Sequence, residues 1–155
     1  MCTATQKVRV STARPYSRYN YIHAFADFIL QGTHQDGVQG TSAAGAVVRH
    51  NTILIGEDYD GAKYFDGANG AIFFSDGPGS DVTIEKNLVG GGNFAINLDH
   101  TSYSNVKIID NHITTTIKGH EKGGYIAPIT GQRGSNWTVT GNVWHDGPNA
   151  GKLVN

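Results

Sequence analysis

The sequence predicts an all-β protein, in which one domain spanning residues 1–155 is built from short strands stacked into a coil. The first observation is composition, because β-branched and aromatic residues are plentiful while the strong helix formers Leu, Glu, Lys and Met are scarce. The second is a repeat built on asparagine. The third is a set of chain arcs of nearly constant length. A chain of 155 residues has room for only one sizeable domain.

A repeated segment, in which a short apolar strand is followed by Asn and then by a second short strand, occurs five times. Successive asparagines are 31, 36, 24 and 31 residues apart, which is the range of solenoid repeats. Asn tolerates left-handed backbone well, so we expect it to form the corner between the two strands. Stacked amides would also pair along the axis, although Asn is common in ordinary turns as well. The predicted asparagine ladder is Asn20, Asn51, Asn87, Asn111 and Asn142.

A second apolar strand recurs between the asparagines, with predicted centres at Val38, Ile72, Ile96 and Ile126. From each centre to the next Asn takes 13, 15, 15 and 16 residues, whereas the return takes 18, 21, 9 and 15. The arc from strand centre to Asn has a nearly constant length, whereas the return arc varies in length because it contains the insertions. This pattern is typical of a coil with loops at one corner. Extending the count predicts a first strand at 6–10 and a last one at 152–154 on the same sheet.

The strands around the third and fourth asparagines, 82–89 and 106–113, resemble the right-handed parallel β-helix of the pectate-lyase-like superfamily. The resemblance covers about Val8 to Val154 and implies a single short right-handed parallel β-helix of about five coils. That fold hosts lyases, hydrolases, adhesins and phage tail proteins, so it says little about function. The expected core comprises Ile53, Ile55, Phe74, Ile84, Leu98, Ile108, Ile113 and Val139.

Strand alternation predicts which side chains lie outside the coil. If the strand centres point inward, one outward row consists of Gln39, Phe73, Asn97 and Ala127. In the family's lyases, acidic side chains on this sheet hold calcium and a nearby Arg or Lys acts as base, whereas its hydrolases cluster several Asp with a His. The row contains no titratable group, so neither set can be carried over to it.

The remaining catalytic and metal candidates lie at the strand edge. The segment His34-Gln35-Asp36-Gly37-Val38-Gln39 resembles an H-x-D-G-[IV]-Q run found in assorted bacterial and phage β-helix proteins. Asp36 is expected to point inward and cap backbone N–H groups, and an acid, base or metal role with His34 is the alternative. Asp76 and Asp99-His100 end the next two strands. The catalytic candidates are therefore His34, Asp36, Asp99 and His100.

A divalent cation such as calcium, held by Asp36, Asp76 and Asp99, is one interpretation of that edge, because calcium takes oxygen ligands. An ordinary turn at Asp76-Gly77-Pro78-Gly79 is the other. No other cofactor is expected. The seven His residues show no H-x-x-x-H spacing, which argues against a zinc site made from local sequence.

Exposed aromatic and amide side chains are the candidates for binding, since aromatic rings can stack on sugars. Packing within their own loops is the alternative. The longest insertions, expected to carry contacts, span 24–32, 57–69 and 117–123. The binding candidates are Tyr59, Tyr64, Phe65, Phe73, Asn97 and Tyr125.

Charge and hydropathy exclude several partners. The formal net charge of −1 provides no basic patch for nucleic acid, and no apolar run approaches a transmembrane length. No signal-peptide pattern is visible, and a virion or extracellular surface is the expected location.

Bare solenoid ends expose strand edges that template further pairing. We therefore expect a non-enzymatic structural or attachment protein that works as a homo-oligomer, such as a trimer, or docked on other virion proteins. The chain resembles short β-helix decoration or minor tail proteins of bacteriophages. The alternatives are a polysaccharide lyase or glycoside hydrolase acting on acidic polysaccharide, or a fragment of one, and a carbohydrate-binding module.

Overall fold

Strands and the turns between them make up almost all of the structure. A computed structural model describes residues 8–10, 16–23, 35–55, 68–75, 77–116, 125–133 and 136–154. Within these ranges the chain is all-β, and the only helical element is a 3₁₀ turn at Gly147–Asn149. No helix in the described part of the chain is long and apolar enough to span a bilayer.

Within the described ranges, fifteen strands form three five-stranded sheets, A, B and C, and each sheet takes every third of these strands. Sheet A contains β1 (Val8–Val10), β4 (Gln35–Thr41), β7 (Ala68–Ser75), β10 (Phe94–Tyr103) and β13 (Ala127–Arg133). Sheet B contains β2 (Tyr16–Arg18), β5 (Val47–Arg49), β8 (Thr83–Glu85), β11 (Lys107–Ile109) and β14 (Thr138–Thr140). Sheet C contains β3 (Tyr21–His23), β6 (Thr52–Leu54), β9 (Leu88–Gly90), β12 (His112–Ile113) and β15 (Val143–Trp144).

The chain therefore visits sheets A, B and C in turn, and each such passage is one circuit. Every pairing between the fifteen strands is parallel, so each strand lies beside its counterpart in the circuits before and after it. The all-β class and the parallel pairing predicted from the sequence are confirmed. Five circuits of this kind are compatible with a β-solenoid.

Sheet A has the predicted register except in its last strand. Val38 lies beside Ile72, and Ile72 beside Ile96, as expected. In β13, however, the partner of Ile96 is Ile129, and Ile126 is 62% exposed. The predicted centre at Ile126 was therefore wrong by three residues. An odd shift also exchanges the two faces of a strand, so a short apolar run does not determine which of its residues point inward.

The interior is filled by the apolar side chains that the repeat predicted. Seven of the eight expected core residues are fully buried, and Val139 is partly buried against them. Gly40 shows how closely the circuits pack, because a Cβ placed there would lie 2.5 Å from the ring of Phe74 in the next circuit. A side chain at position 40 would therefore displace that ring.

The two ends of the chain differ from each other. The first predicted strand is present in part, as β1, which pairs with β4. The last prediction was wrong, because Leu153 bridges Val143 in antiparallel fashion instead of adding a parallel strand to sheet A. The 3₁₀ turn reverses the chain, so that Val154 N donates to Asn142 O at 2.8 Å. Residues 152–154 thus lie along β15 and cover the edge of sheet C.

Candidate functional site

The corner between sheets B and C is the most regular feature of the structure. In every circuit the residue before the ladder Asn has left-handed backbone, and its φ lies between 53° and 68°. These residues are Tyr19, His50, Lys86, Asp110 and Gly141. The expectation that Asn itself adopts this conformation was therefore wrong by one position. The Asn instead uses its amide to close the bend, as when Asn51 Nδ2 donates to Arg49 O at 3.0 Å.

The five asparagine side chains hydrogen-bond to one another along the stack. Asn51 Oδ1 accepts from the backbone N and from the Nδ2 of Asn20, both at 3.0 Å. Asn51 Nδ2 in turn donates to Asn87 Oδ1 at 3.0 Å and to Ser17 O at 3.0 Å. The same pattern continues through Asn111 to Asn142. All but Asn20 are buried, so each amide satisfies polar groups that water cannot reach.

A groove of about 410 Å³ runs along the outside of this corner. One side is formed by the left-handed residues and the other by the outward side chains of sheet C. Its charged and imidazole side chains all belong to exposed residues. They are His50, Lys86, Asp110, His112 and His145. The groove is therefore polar and carries both signs of charge, and it gathers several titratable side chains around one opening.

Neighbouring contacts hold the N-terminal end of the groove in place. The His50 ring stacks on Tyr19, with the ring centroids 5.5 Å apart and the planes inclined by 19°. Arg49 pairs with Glu85 at 2.8 Å, and its guanidinium lies 5.8 Å from the centroid of the Tyr16 ring. These contacts link three successive circuits on the surface, as cross-strand pairs do in sheets.

Asp36 is inside the structure, where its carboxylate hydrogen-bonds to the backbone. It is fully buried, and its Oδ1 accepts a hydrogen bond of 3.1 Å from Gly70 N in the next circuit. This is the capping contact that strand alternation predicted. Its proposed partner His34 lies outside the described residues, so the alternative acid, base or metal role for this pair stays a prediction.

The predicted outward row is different in composition and in exposure. Thr130, not Ala127, pairs with Asn97, because β13 is shifted. Phe73 and Asn97 are only 7% and 3% exposed, so neither offers the open surface expected of a binding residue. Large apolar side chains such as that of Phe73 are usually buried, because this removes their apolar surface from water.

Tyr125 is partly buried rather than fully exposed. Its ring packs against Trp144 with centroids 6.3 Å apart, and its hydroxyl donates to Thr114 O at 2.8 Å. Burial raises the pKa of this hydroxyl above its ordinary value, while the hydrogen bond from Gly91 N opposes that shift. Stacking of this partly buried ring on a sugar stays a prediction.

The other candidates can be placed only in part. Asp99 and His100 belong to β10, and their side chains are not among those described. Asp76, Tyr59, Tyr64 and Phe65 lie outside the described residues. Within the described ranges no group of three His, Cys, Asp or Glu side chains is arranged to hold a metal ion.

Sequence analysis missed a cluster of one carboxylate and three threonines at the far end of sheet C. Asp146 Oδ1 accepts from Thr115 N at 2.7 Å and Oδ2 accepts from the Thr116 hydroxyl at 2.6 Å, with a further bond from the Thr114 hydroxyl. Burial alone would raise the pKa of Asp146, but these hydrogen bonds outweigh it and hold that pKa well below its usual range. The run Thr114-Thr115-Thr116 was the available signal, and only the fold brings Asp146 to it.

Comparison with family models, with curated proteins and with solved structures finds no match to this chain. The candidate site therefore rests on its own geometry. It combines a polar groove, exposed imidazoles and a rigid, fully hydrogen-bonded floor.

Proposed function

We propose that the chain is a right-handed parallel β-helix of the pectate-lyase-like type that acts as a non-enzymatic structural or attachment component of a larger assembly. Three consecutive parallel sheets visited in order support the fold, because crossovers between parallel strands are right-handed in nearly all proteins. The resemblance to short phage decoration and minor tail proteins supports a place on a virion surface.

One observation carries the functional part of the proposal. Among the described residues, every large apolar side chain that is strongly exposed lies in the first or the last circuit. Exposed apolar surface concentrated in this way marks contact sites in soluble proteins. The exposed fractions are 54% for Tyr16, 67% for Tyr19, 55% for Tyr21, 62% for Ile126 and 61% for Leu153.

Among the described strands, those at the ends of the stack pair with one other strand instead of two, except that residues 152–154 also bridge β15. In the order of sheet B, β2 and β14 are the outer strands, and β3 is the first of sheet C. Apolar side chains beside such edges favour contact with another chain, since edges otherwise require protection by charge or Pro. A homo-oligomer, such as a trimer, or a partner protein in the assembly would bury them.

Light scattering after gel filtration tests this proposal on the full chain. We expect a wild-type mass above that of one chain, and a lower mass after Tyr16→Ser, Tyr19→Ser and Tyr21→Ser together. The matched control is Lys86→Ser with Lys107→Ser, two exposed positions in the middle circuits, which should keep the wild-type mass. A wild-type monomer that stays monomeric at high concentration would contradict self-assembly.

Enzyme assays separate this proposal from the polysaccharide-degrading alternative. Wild-type protein is incubated with pectate, alginate and polygalacturonate, with and without calcium, and unsaturated uronate and reducing ends are measured. We expect no turnover, because Asp36 is occupied as a backbone cap. Turnover that is lost in His34→Ala, while the circular dichroism spectrum is unchanged, would replace the structural role with an enzymatic one.

A further inference from the structure

Two histidines from different circuits meet at one end of the groove. His112 lies in β12 and His145 directly follows β15, 33 residues later. Their Nδ1 atoms are 3.3 Å apart, and the two rings are inclined by 65° with centroids 5.5 Å apart. Both residues are exposed, so solvent and ions can reach the two nitrogens.

The distance between the two Nδ1 atoms fits two ligands of one metal ion better than it fits a hydrogen bond. An N–H···N hydrogen bond between them would be long, since protein hydrogen bonds from nitrogen are usually about 2.9–3.0 Å. Two imidazole nitrogens bound to one tetrahedral zinc, each about 2.0–2.1 Å from the metal, are about 3.4 Å apart. We propose that His112 and His145 form a binding site for one divalent transition metal of the zinc type, held through both Nδ1 atoms.

The backbone already holds both residues in place. His112 N donates to Asn87 O and His145 N donates to Ile113 O, each at 2.8 Å. Next to His145, the Asp146 carboxylate is fixed by the three threonines that follow β12. Because these contacts hold both residues through their backbone, metal binding requires mainly rotation of the two imidazole rings and costs little conformational entropy.

The ligand type selects the metal. Imidazole suits zinc, copper and nickel, whereas calcium and magnesium require oxygen ligands. In the described residues no third His, Cys, Asp or Glu completes a cluster with this pair. The Asp110 carboxylate lines the same groove but lies over Gly141, where an added Cβ would collide with it. The metal would keep open positions for water or for an external ligand.

Isothermal titration of the metal-free, untagged full chain with Zn²⁺ tests the site. We expect one site per chain in the wild type, and loss of that site in His112→Ala and in His145→Ala. The matched control is His50→Ala, which removes an imidazole from the same groove but not from the pair, and should bind Zn²⁺ as the wild type does. Titration with Ca²⁺ should show no binding at this site.

Histidine ring nitrogen resonances provide a second measurement, which identifies the ligand atoms. Zn²⁺ should shift the Nδ1 resonances of His112 and His145 together and leave the His50 resonances in place. Circular dichroism of each variant confirms that the β-structure persists. Absence of zinc binding by the wild type, or zinc binding that is unchanged in both single variants, would overturn the proposal.

Discussion

Two corners of the molecule make the same bend with different chemistry. At the corner between sheets B and C, the left-handed residue is followed by a buried ladder Asn. At the corner between sheets A and B, the left-handed residues Asp81, Asn105 and Asn136 have φ of 58°, 53° and 61°, and the residue after the first two is a buried Val. Left-handed backbone alone therefore does not require a ladder.

Hydrogen bonding explains the difference. At the second corner the backbone satisfies itself from circuit to circuit, as when Thr83 N donates to Ala46 O and Lys107 N to Val82 O, both at 2.8 Å. The asparagine corner has the same kind of backbone bond, as when Leu88 N donates to Asn51 O at 2.9 Å. There, in addition, Val48 O accepts from the Asn87 amide and Asn51 N donates to Asn87 Oδ1. A buried Asn is needed where backbone N–H and C=O groups that face the interior have no backbone partner. Where the backbone already pairs these groups, a buried Val is sufficient.

Asn87→Ala should cause the largest loss of stability. The Asn87 amide donates to Val48 O and Asn111 Oδ1, and its oxygen accepts from Asn51 N and Nδ2. Removing it leaves several buried groups unpaired, so we expect the free energy of unfolding to fall by about 3 kcal/mol or more. Urea denaturation followed by circular dichroism measures this change. A loss below about 1 kcal/mol would mean that the ladder is not what stabilises the corner.

Asp36→Ala removes a single buried cap rather than one link of a ladder. It leaves Gly70 N without its acceptor, and we expect a loss of about 2 kcal/mol in the free energy of unfolding. Hydrogen exchange should show faster exchange of the Gly70 amide. Asp36→Asn, which keeps an acceptor oxygen, should lose less. Equal losses in both variants would argue that the charge, and not the cap, is what matters.

Asp146→Asn should cost about 1 kcal/mol at neutral pH, since the carboxylate is partly exposed and solvent weakens its hydrogen bonds. The folded pKa is lowered, so the contribution is fully present above the unfolded value, near 3.8, and is lost as pH falls through the lowered folded pKa. Urea denaturation at a series of pH values should show a constant difference in the free energy of unfolding between wild type and variant, from neutral pH down to about the unfolded pKa of 3.8. A gap that closes between pH 7 and pH 5 would contradict this prediction.

Asn105→Ala at the second corner should have the smallest effect. Asn105 is exposed, and its amide donates to Asp81, another exposed residue, whose pKa is held down by this contact and by the Ser80 hydroxyl. We expect the free energy of unfolding to change less than in Asp146→Asn, because the variant loses only a weak surface contact and gains some strain from Ala in left-handed backbone. Asn105→Gly should relieve that strain and match the wild type. A loss as large as that of Asn87→Ala would abolish the distinction between the corners.

The candidate site was less predictable than the fold. The five ladder positions follow from a repeated pattern, but the pairing of His112 with His145 depends on which residues of neighbouring circuits meet. Asp146 reaches the threonines after β12 for the same reason. Such pairs join residues about 30 positions apart, and intervals of 24 to 36 residues between circuits leave their register open.

The all-β class, the five repeats, the ladder positions and most of the core could be predicted from the sequence. Each of them follows from a local pattern of apolar, β-branched and amide residues. The register of β13, the burial of Phe73 and Asn97, the partial burial of Tyr125 and the antiparallel return of residues 152–154 follow instead from tertiary packing. Those features depend on contacts between circuits, where a shift of one or three residues exchanges inside and outside without changing the local pattern.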